Sequence, residues 1–409
     1  MTAQERYAAT GELNALLDRG MNTASTPQMR SFLYDPPPKG CGFPRRYIKQ
    51  GARNTDKLSV AVDALLATFR QTKDRRLELC LQLSDRRTQL ESLAWKVDKD
   101  GRMRTSLNIA GSEVGRMASN RSNTGSGGNL HTISSRHRHL FIANPGYDFY
   151  QIDLKSADTW TVACECANLG DSTMLDDLKA DLKQAKIVAL MYTEGAKVNQ
   201  MSRSELAERC AALPKDWLYQ GCKRVVHGSN YGMGDVRMAE QILEDSYKGG
   251  GELSTFTVAQ CRQLQNLYFM RYAGVKRWQE RVRMLLKRDG ALTAASGLRR
   301  DFFGRKDDHQ TIKDAYPFCP AANTAYCCNC ALLKLWDDPD NRDTDGKRIA
   351  RPLLTVHDSV LFQAPVERRD WVAARIPVWF ANPITVAGTT FTIPYEAQRG
   401  PSWGELEPL

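Results

Sequence analysis

No run of this 409-residue chain is apolar enough to approach a membrane span, and its polar, amphipathic start does not read as a leader. Both absences argue for a soluble cytoplasmic protein with no membrane partner. Histidine is scarce, with six residues, and no histidine cluster accompanies the cysteines. The eleven cysteines are an odd number without regular spacing. Cys164-x-Cys166 and Cys327-Cys328-Asn329-Cys330 lack a second ligand pair. That excludes a disulfide framework and a zinc module, and leaves buried reduced thiols. No internal repeat is visible, so an array of stacked units is excluded as well.

What the chain does have is positive charge. The formal net charge is +10 and the pI near 9.0, which favours a polyanionic partner, although a solvated basic surface satisfies the same numbers. The length allows a large core divided among two or three subdomains.

The most informative stretch is Arg351 to Pro365, RPLLTVHDSVLFQAP. Two apolar runs rich in strand formers flank His357-Asp358-Ser359, which predicts a buried hairpin with a polar turn. A carboxylate at the tip of such a hairpin is costly without a cationic partner. An ordinary hairpin with Asp in its turn fits the same pattern. Tyr150 to Leu154 is a second apolar stretch with one carboxylate, Asp153. Laid side by side, the two strands would bring Asp153 and Asp358 together, and paired carboxylates of this kind call for divalent metal.

Elsewhere the spacing predicts helices over residues 1–20, 28–34, 56–95, 157–192, from Pro214 to at least Val226, and over 256–288 and 320–336. Gly249-Gly250-Gly251 reads as a loop, Thr293 to Phe303 as strand-turn-strand, and the last strands fall in Thr385 to Tyr395. Ser106 to Ile133 is rich in Gly, Ser and Asn. A flexible linker is one reading; Arg104, Arg116, Arg121, Arg136 and Arg138 favour a loop lying along a phosphate backbone. After Pro214, Tyr219, Lys223, His227 and Tyr231 recur every fourth residue and form one stripe of a helix, ended by Gly232. Such a stripe suits a triphosphate and a base, and an exposed polar face has the same spacing.

In this order these stretches resemble the three signature motifs of the A-family DNA polymerases. Asp153-Leu154-Lys155-Ser156-Ala157-Asp158 is similar to the first, KRVVHGSNYGMG (Lys223 to Gly234) to the second, and His357-Asp358-Ser359 to the third. Arg104-Thr105, Gly115-Arg116, Asn129-Leu130, Arg138 and Phe141 follow the family's template-primer segment. Met21-Asn22 with Ser25, Pro27 and Gln28 resembles its thumb, Thr324-Ala325 a palm helix, and Gly400 to Trp403 the C-terminal end. The resemblance implies an α+β right hand: an antiparallel-sheet palm, helical fingers and a helical thumb. Its parts would be thumb 1–105, palm 106–172 and 289–409, and fingers 173–288.

The resemblance also implies primer extension on DNA with dNTPs and two Mg²⁺ ions. Asp153, Asp358 and the Leu154 carbonyl would hold metal, with Lys223 as a further catalytic group. Asp158, Lys183, Tyr219, Lys223, His227 and Tyr231 would meet the nucleotide. Arg104, Arg116, Asn129, Arg138, Arg299, Arg300, Asn323 and His357 would meet DNA. Five positions depart from the pattern. Tyr219 replaces a fingers Arg, Lys183 a His, His227 an aromatic ring and Ser359 a Glu, and Ala322-Asn323 lacks the usual Gln. A glycine-rich insertion, Ser122 to Gly128, interrupts the primer segment. The chain begins within the thumb, which implies a compact or split phage-type enzyme in a bacterial cytoplasm. Proofreading would then be absent, or supplied with processivity by a separate subunit. A single-subunit RNA polymerase and a degenerate DNA-binding clamp are the alternatives.

Overall fold

Phe149, Tyr150, Ile152 and Leu154 make the segment Tyr147–Leu154 a strand buried on both faces, at the centre of a five-stranded antiparallel sheet. On one side it pairs with Ser359–Pro365, which pairs in turn with Arg351–Val356. On the other side lies Tyr395–Ser402, followed by Glu405–Pro408. The computed structural model describes all residues except 1–2, 19, 51–52, 84–96, 124, 126, 215, 250–252 and 255. The sheet is sandwiched. Tyr150 stacks on Phe362 with centroids 5.2 Å apart, and Trp379 meets Phe362 edge-on. The opposite face carries Phe149, Leu361, Leu354, Val356 and Trp403.

The chain forms two units, residues 1–103 with 239–256, and residues 104–238 with 257–409. In the first, helices Ala3–Leu17, Thr26–Tyr34, Val62–Thr72 and residues 75–83 bury Leu13, Phe32, Leu65, Leu77 and Leu81. Ser25 caps the second helix by accepting the Gln28 N–H. The helix expected from Asp56 begins only at Val62. Arg53–Leu58 is instead a strand paired with Tyr47–Gln50, because a stretch with Leu58 as its sole apolar residue has no face to bury as a helix. The remainder of that expected helix, 84–96, lies outside the described residues, as do Gly250 and Gly251 of the glycine run.

In the second unit the expected helix over 256–288 is two, Val258–Arg271 and Gly274–Asp289. Arg203–Ala212, with a Ser202/Glu205 capping box, and Arg369–Phe380 are further helices that the spacing does not announce, as is Asp235–Gly249, most of which belongs to the first unit. Ser106–Asn108 and Ala118–Asn120 form a short hairpin within the segment read as a loop. Hairpin Ala291–Thr293/Arg299–Asp301 is as expected. The C-terminal strands extend well past Tyr395, and the pair Pro383–Val386/Thr389–Thr392 stands apart from the main sheet. All eleven cysteines are free and eight are buried. Among the described residues no helix is long and apolar enough to cross a membrane.

A buried charge locks the helices of this unit. Asp177, on Thr173–Lys179, is fully buried and accepts from Arg271 Nε and Nη2 at 3.0 and 2.9 Å and from Tyr272 Oη at 2.9 Å. Removing one partner of such a pair strands the other. Asp177→Ala should therefore lower the unfolding free energy by ~3–5 kcal/mol, read from urea denaturation. A loss below about 1 kcal/mol, the range of exposed pairs, would show that Arg271 finds other partners.

Candidate active site

The strand bearing Asp153 and the hairpin bearing Asp358 in its turn do lie side by side. Asp153 stands opposite Ser359 in the antiparallel register, and the Leu154 N–H donates to the Asp358 carbonyl at 3.0 Å. The hairpin turn is closed by His357, in left-handed backbone at φ +56°, and by Ser359 Oγ, which donates to the Val356 carbonyl at 2.9 Å. Ser359, standing where the family has Glu, is thus buried within the turn. Burial, the charge of Asp358 and that of Glu396 push Asp153 up to about 7, against the pull of Lys223 and Arg138. Burial, followed by the charge of Asp158, also raises Asp358, while its own backbone N–H, Arg116 and His357 oppose. Asp153 therefore binds a proton more tightly folded than unfolded, where a carboxyl titrates near 4. Its contribution to stability is greatest at acid pH and is lost as pH rises through about 7. A bound cation reverses that cost.

Glu396 was not expected here. It lies directly opposite Asp153 on the neighbouring strand and is paired with Lys155 at 3.5 Å and Lys183 at 3.9 Å. The strand YEAQRGPS carries no alternation that would reveal it, so only the pairing discloses Glu396. Lys183 is the N-cap residue of Gln184–Glu194 and, like Lys223 and His227, is exposed. Among the described residues no three His, Cys, Asp or Glu side chains gather as a metal-ligand cluster. Asp153 and Asp358 are hard oxygen donors whose charged forms are disfavoured by burial and by neighbouring carboxylates, which fits Mg²⁺.

The helix Trp217–Asn230 starts at Asp216, whose side chain accepts the Tyr219 N–H at 3.0 Å. It ends at Gly232, whose φ of +72° suits glycine and where a Cβ would lie 2.9 Å from the Tyr316 ring. The stripe divides. Lys223 and His227 are exposed, whereas Tyr219 is buried. His227 meets the edge of Tyr231 at 4.9 Å. Surrounding protein and Arg224, Arg116 and Lys223 hold its imidazole below its usual pKa, with Asp158 opposing. Tyr231 Oη donates to Asp158 Oδ2 at 2.9 Å, and burial and that carboxylate push the phenol up.

The expected DNA-facing residues differ in availability. Arg138 packs over the Trp403 ring at 4.4 Å, and burial lowers its pKa while Asp153 opposes. The Nε groups of Arg116 and Arg138 are buried without a hydrogen-bond partner. A small open cleft beside the turn is lined by Arg116, His131, Asn329 and His357, among others. Arg104 and His357 are exposed. Asn129 is exposed too, with its Oδ1 capping the His131 N–H. Arg299 pairs with Asp301 at 2.9 Å, and Arg300 pairs with Glu113 and covers Phe302. Asn323 is buried, accepts the Ser296 N–H and donates to Thr161, so each end of its amide already has a partner within the protein.

The family model for DNA polymerase family A matches residues 2–405. DNA polymerase I of Treponema pallidum (strain Nichols) is 24% identical over 368 residues, 89% of this chain and 34% of that protein. The DNA polymerase of Escherichia phage T5 is 25% identical over 312 residues, 72% of this chain and 34% of its own. The chain thus spans about a third of the length of the curated relatives it matches. The POL domain of Pol1 from M. smegmatis, solved in complex with DNA primer-template and dNTP, superposes with a TM-score of 0.73. At 19% identity the match covers 98% of this chain and 65% of that one. Such a likeness shows the fold, the α+β right hand. With the family model matched from residue 2 to 405, the chain belongs to DNA polymerase family A.

Proposed function

We propose that the chain extends a primer 3′-hydroxyl along a DNA template with deoxynucleoside triphosphates. The observation that carries the reading is the pair Asp153, on the central strand, and Asp358, in the turn of the hairpin paired with it, both raised in pKa chiefly by burial. These two side chains, with the Leu154 carbonyl, would hold two Mg²⁺ ions. When bound, the ions acidify the primer hydroxyl and neutralise charge on the leaving pyrophosphate.

The chain's own residues do the rest. Lys223, close enough to lower the pKa of Asp153, and Lys183, tethered beside it through Glu396, balance charge on the triphosphate. His227 and Tyr231 border the nascent base pair, and Asp158 faces the nucleotide sugar. Arg104, Arg116, Asn129, Arg138 and His357 would meet oxygen acceptors on the primer-template. Residues 1–105 serve as thumb, 106–172 and 289–409 as palm, and 173–288 as fingers. Sequence is read by base pairing, so these contacts select shape and charge.

Two measurements test the reading. In primer-extension gels, Asp153→Ala and Asp358→Ala should each abolish synthesis while leaving primer-template affinity nearly unchanged, since cations elsewhere supply it. Extension at near wild-type rate by either variant would remove that residue from the metal site. Steady-state kinetics of Lys183→Ala should show KM for dNTP raised about tenfold, the worth of roughly one charge-assisted contact of ~1.4 kcal/mol. An unchanged KM would leave Lys183 as a partner of Glu396 alone.

A further inference from the structure

Asp158 is held from two sides. It begins the helix Ala157–Asn168, and its side chain is 21% exposed. Tyr231 Oη donates to Oδ2 at 2.9 Å, while Thr324 Oγ1, from the helix Phe318–Asp337, donates to Oδ1 at 2.7 Å. Arg116 Nη2 lies 3.8 Å from the same Oδ1, an electrostatic neighbour beyond hydrogen-bond reach. Thr324 itself is completely buried.

A threonine hydroxyl inside a helix ordinarily donates to the carbonyl one turn back. Here it crosses to a carboxylate on another helix. Valine would fill the same space, so packing alone does not call for a hydroxyl. The two helices are already joined next door, where Asn323 Nδ2 donates to Thr161 Oγ1 at 3.2 Å. The Thr324 hydroxyl therefore adds little to holding the helices together, and its specific effect falls on the carboxylate plane.

We propose that Thr324 is a positioning residue for sugar selection. With Tyr231 on one oxygen and Thr324 on the other, the Asp158 side chain has no rotational freedom. The carboxylate, one methylene shorter than Glu, is thereby kept as a fixed obstacle to a 2′-hydroxyl. A gate that swings aside discriminates poorly, because each increment of fit is worth only about 10–200-fold. The proposal rests on Asp158 facing the nucleotide sugar.

The test is the ratio of kcat/KM for a matched dNTP to that for the corresponding rNTP. It is measured in wild type, Thr324→Val, Thr324→Ser and Asp158→Ala, and in Thr324→Val combined with Asp158→Ala. Thr324→Val should lower the ratio about tenfold, toward that of Asp158→Ala. Thr324→Ser, which keeps the hydroxyl, should stay within about threefold of wild type, and Thr324→Val should change nothing further once Asp158 is gone. If Thr324→Val does not fold, Thr324→Ala removes the same hydroxyl and is read the same way. A lowered ratio in Asp158→Ala with a wild-type ratio in Thr324→Val overturns the proposal alone. So does an equal effect of Thr324→Val with and without Asp158. A wild-type ratio in Asp158→Ala overturns the sugar-facing reading and the proposal together.

Discussion

Two partly buried carboxylates, Asp153 on the central strand and Asp358 in the adjoining hairpin turn, carry a charge that burial disfavours, and the site depends on how that charge is met. Asp153 is lifted to about 7 by burial, by Asp358 and by Glu396, with Lys223 and Arg138 opposing. Arg116 and His357 likewise oppose the raised pKa of Asp358 without cancelling it. The cations approach from separate elements, so the metal-free site remains short of positive charge. A sheet is the natural platform for such a site, because its register is fixed by pairing on both sides and a one-residue slip would turn Asp153 away.

Around that centre the structure substitutes for several residues usual in the family. Ser359 turns inward to close the hairpin, and Glu396 brings a carboxylate from the opposite strand, engaged with Lys155 and Lys183. Buried Tyr219 leaves the outward face of its helix to Lys223 and His227. Asp158 compensates for its shorter reach with two hydroxyl partners on separate helices. In each case a side chain differs while the backbone framework is kept.

Much of this was legible in the sequence wherever one segment carries its own signal. The hairpin 351–365 was visible from its apolar runs, Tyr147–Leu154 from its buried strand pattern, and Trp217–Asn230 from four-residue spacing ending at glycine. Tyr395–Ser402 was not legible, because YEAQRGPS has no alternation and its place is fixed by its neighbour's backbone. Glu396 was lost with it. Asn323 reads as a polar candidate for DNA, but side-chain chemistry does not reveal that both ends of its amide are taken inside the protein. Arg53–Leu58 misleads in the opposite sense, since adjacent helical spacing spills over a segment that has no apolar face.

The ionisation of Asp153 in the metal-free protein is the quantity on which the account turns. Carboxyl ¹³C resonances of the aspartates, assigned by comparison with Asp153→Asn and followed from pH 3 to 9, measure it directly. One aspartate should titrate near 7, as its environment dictates, and saturating Mg²⁺ should shift that titration to lower pH. If Asp153 titrates with ordinary carboxylates near 4, and Mg²⁺ leaves its resonance in place, the two strands do not form a site strained toward metal.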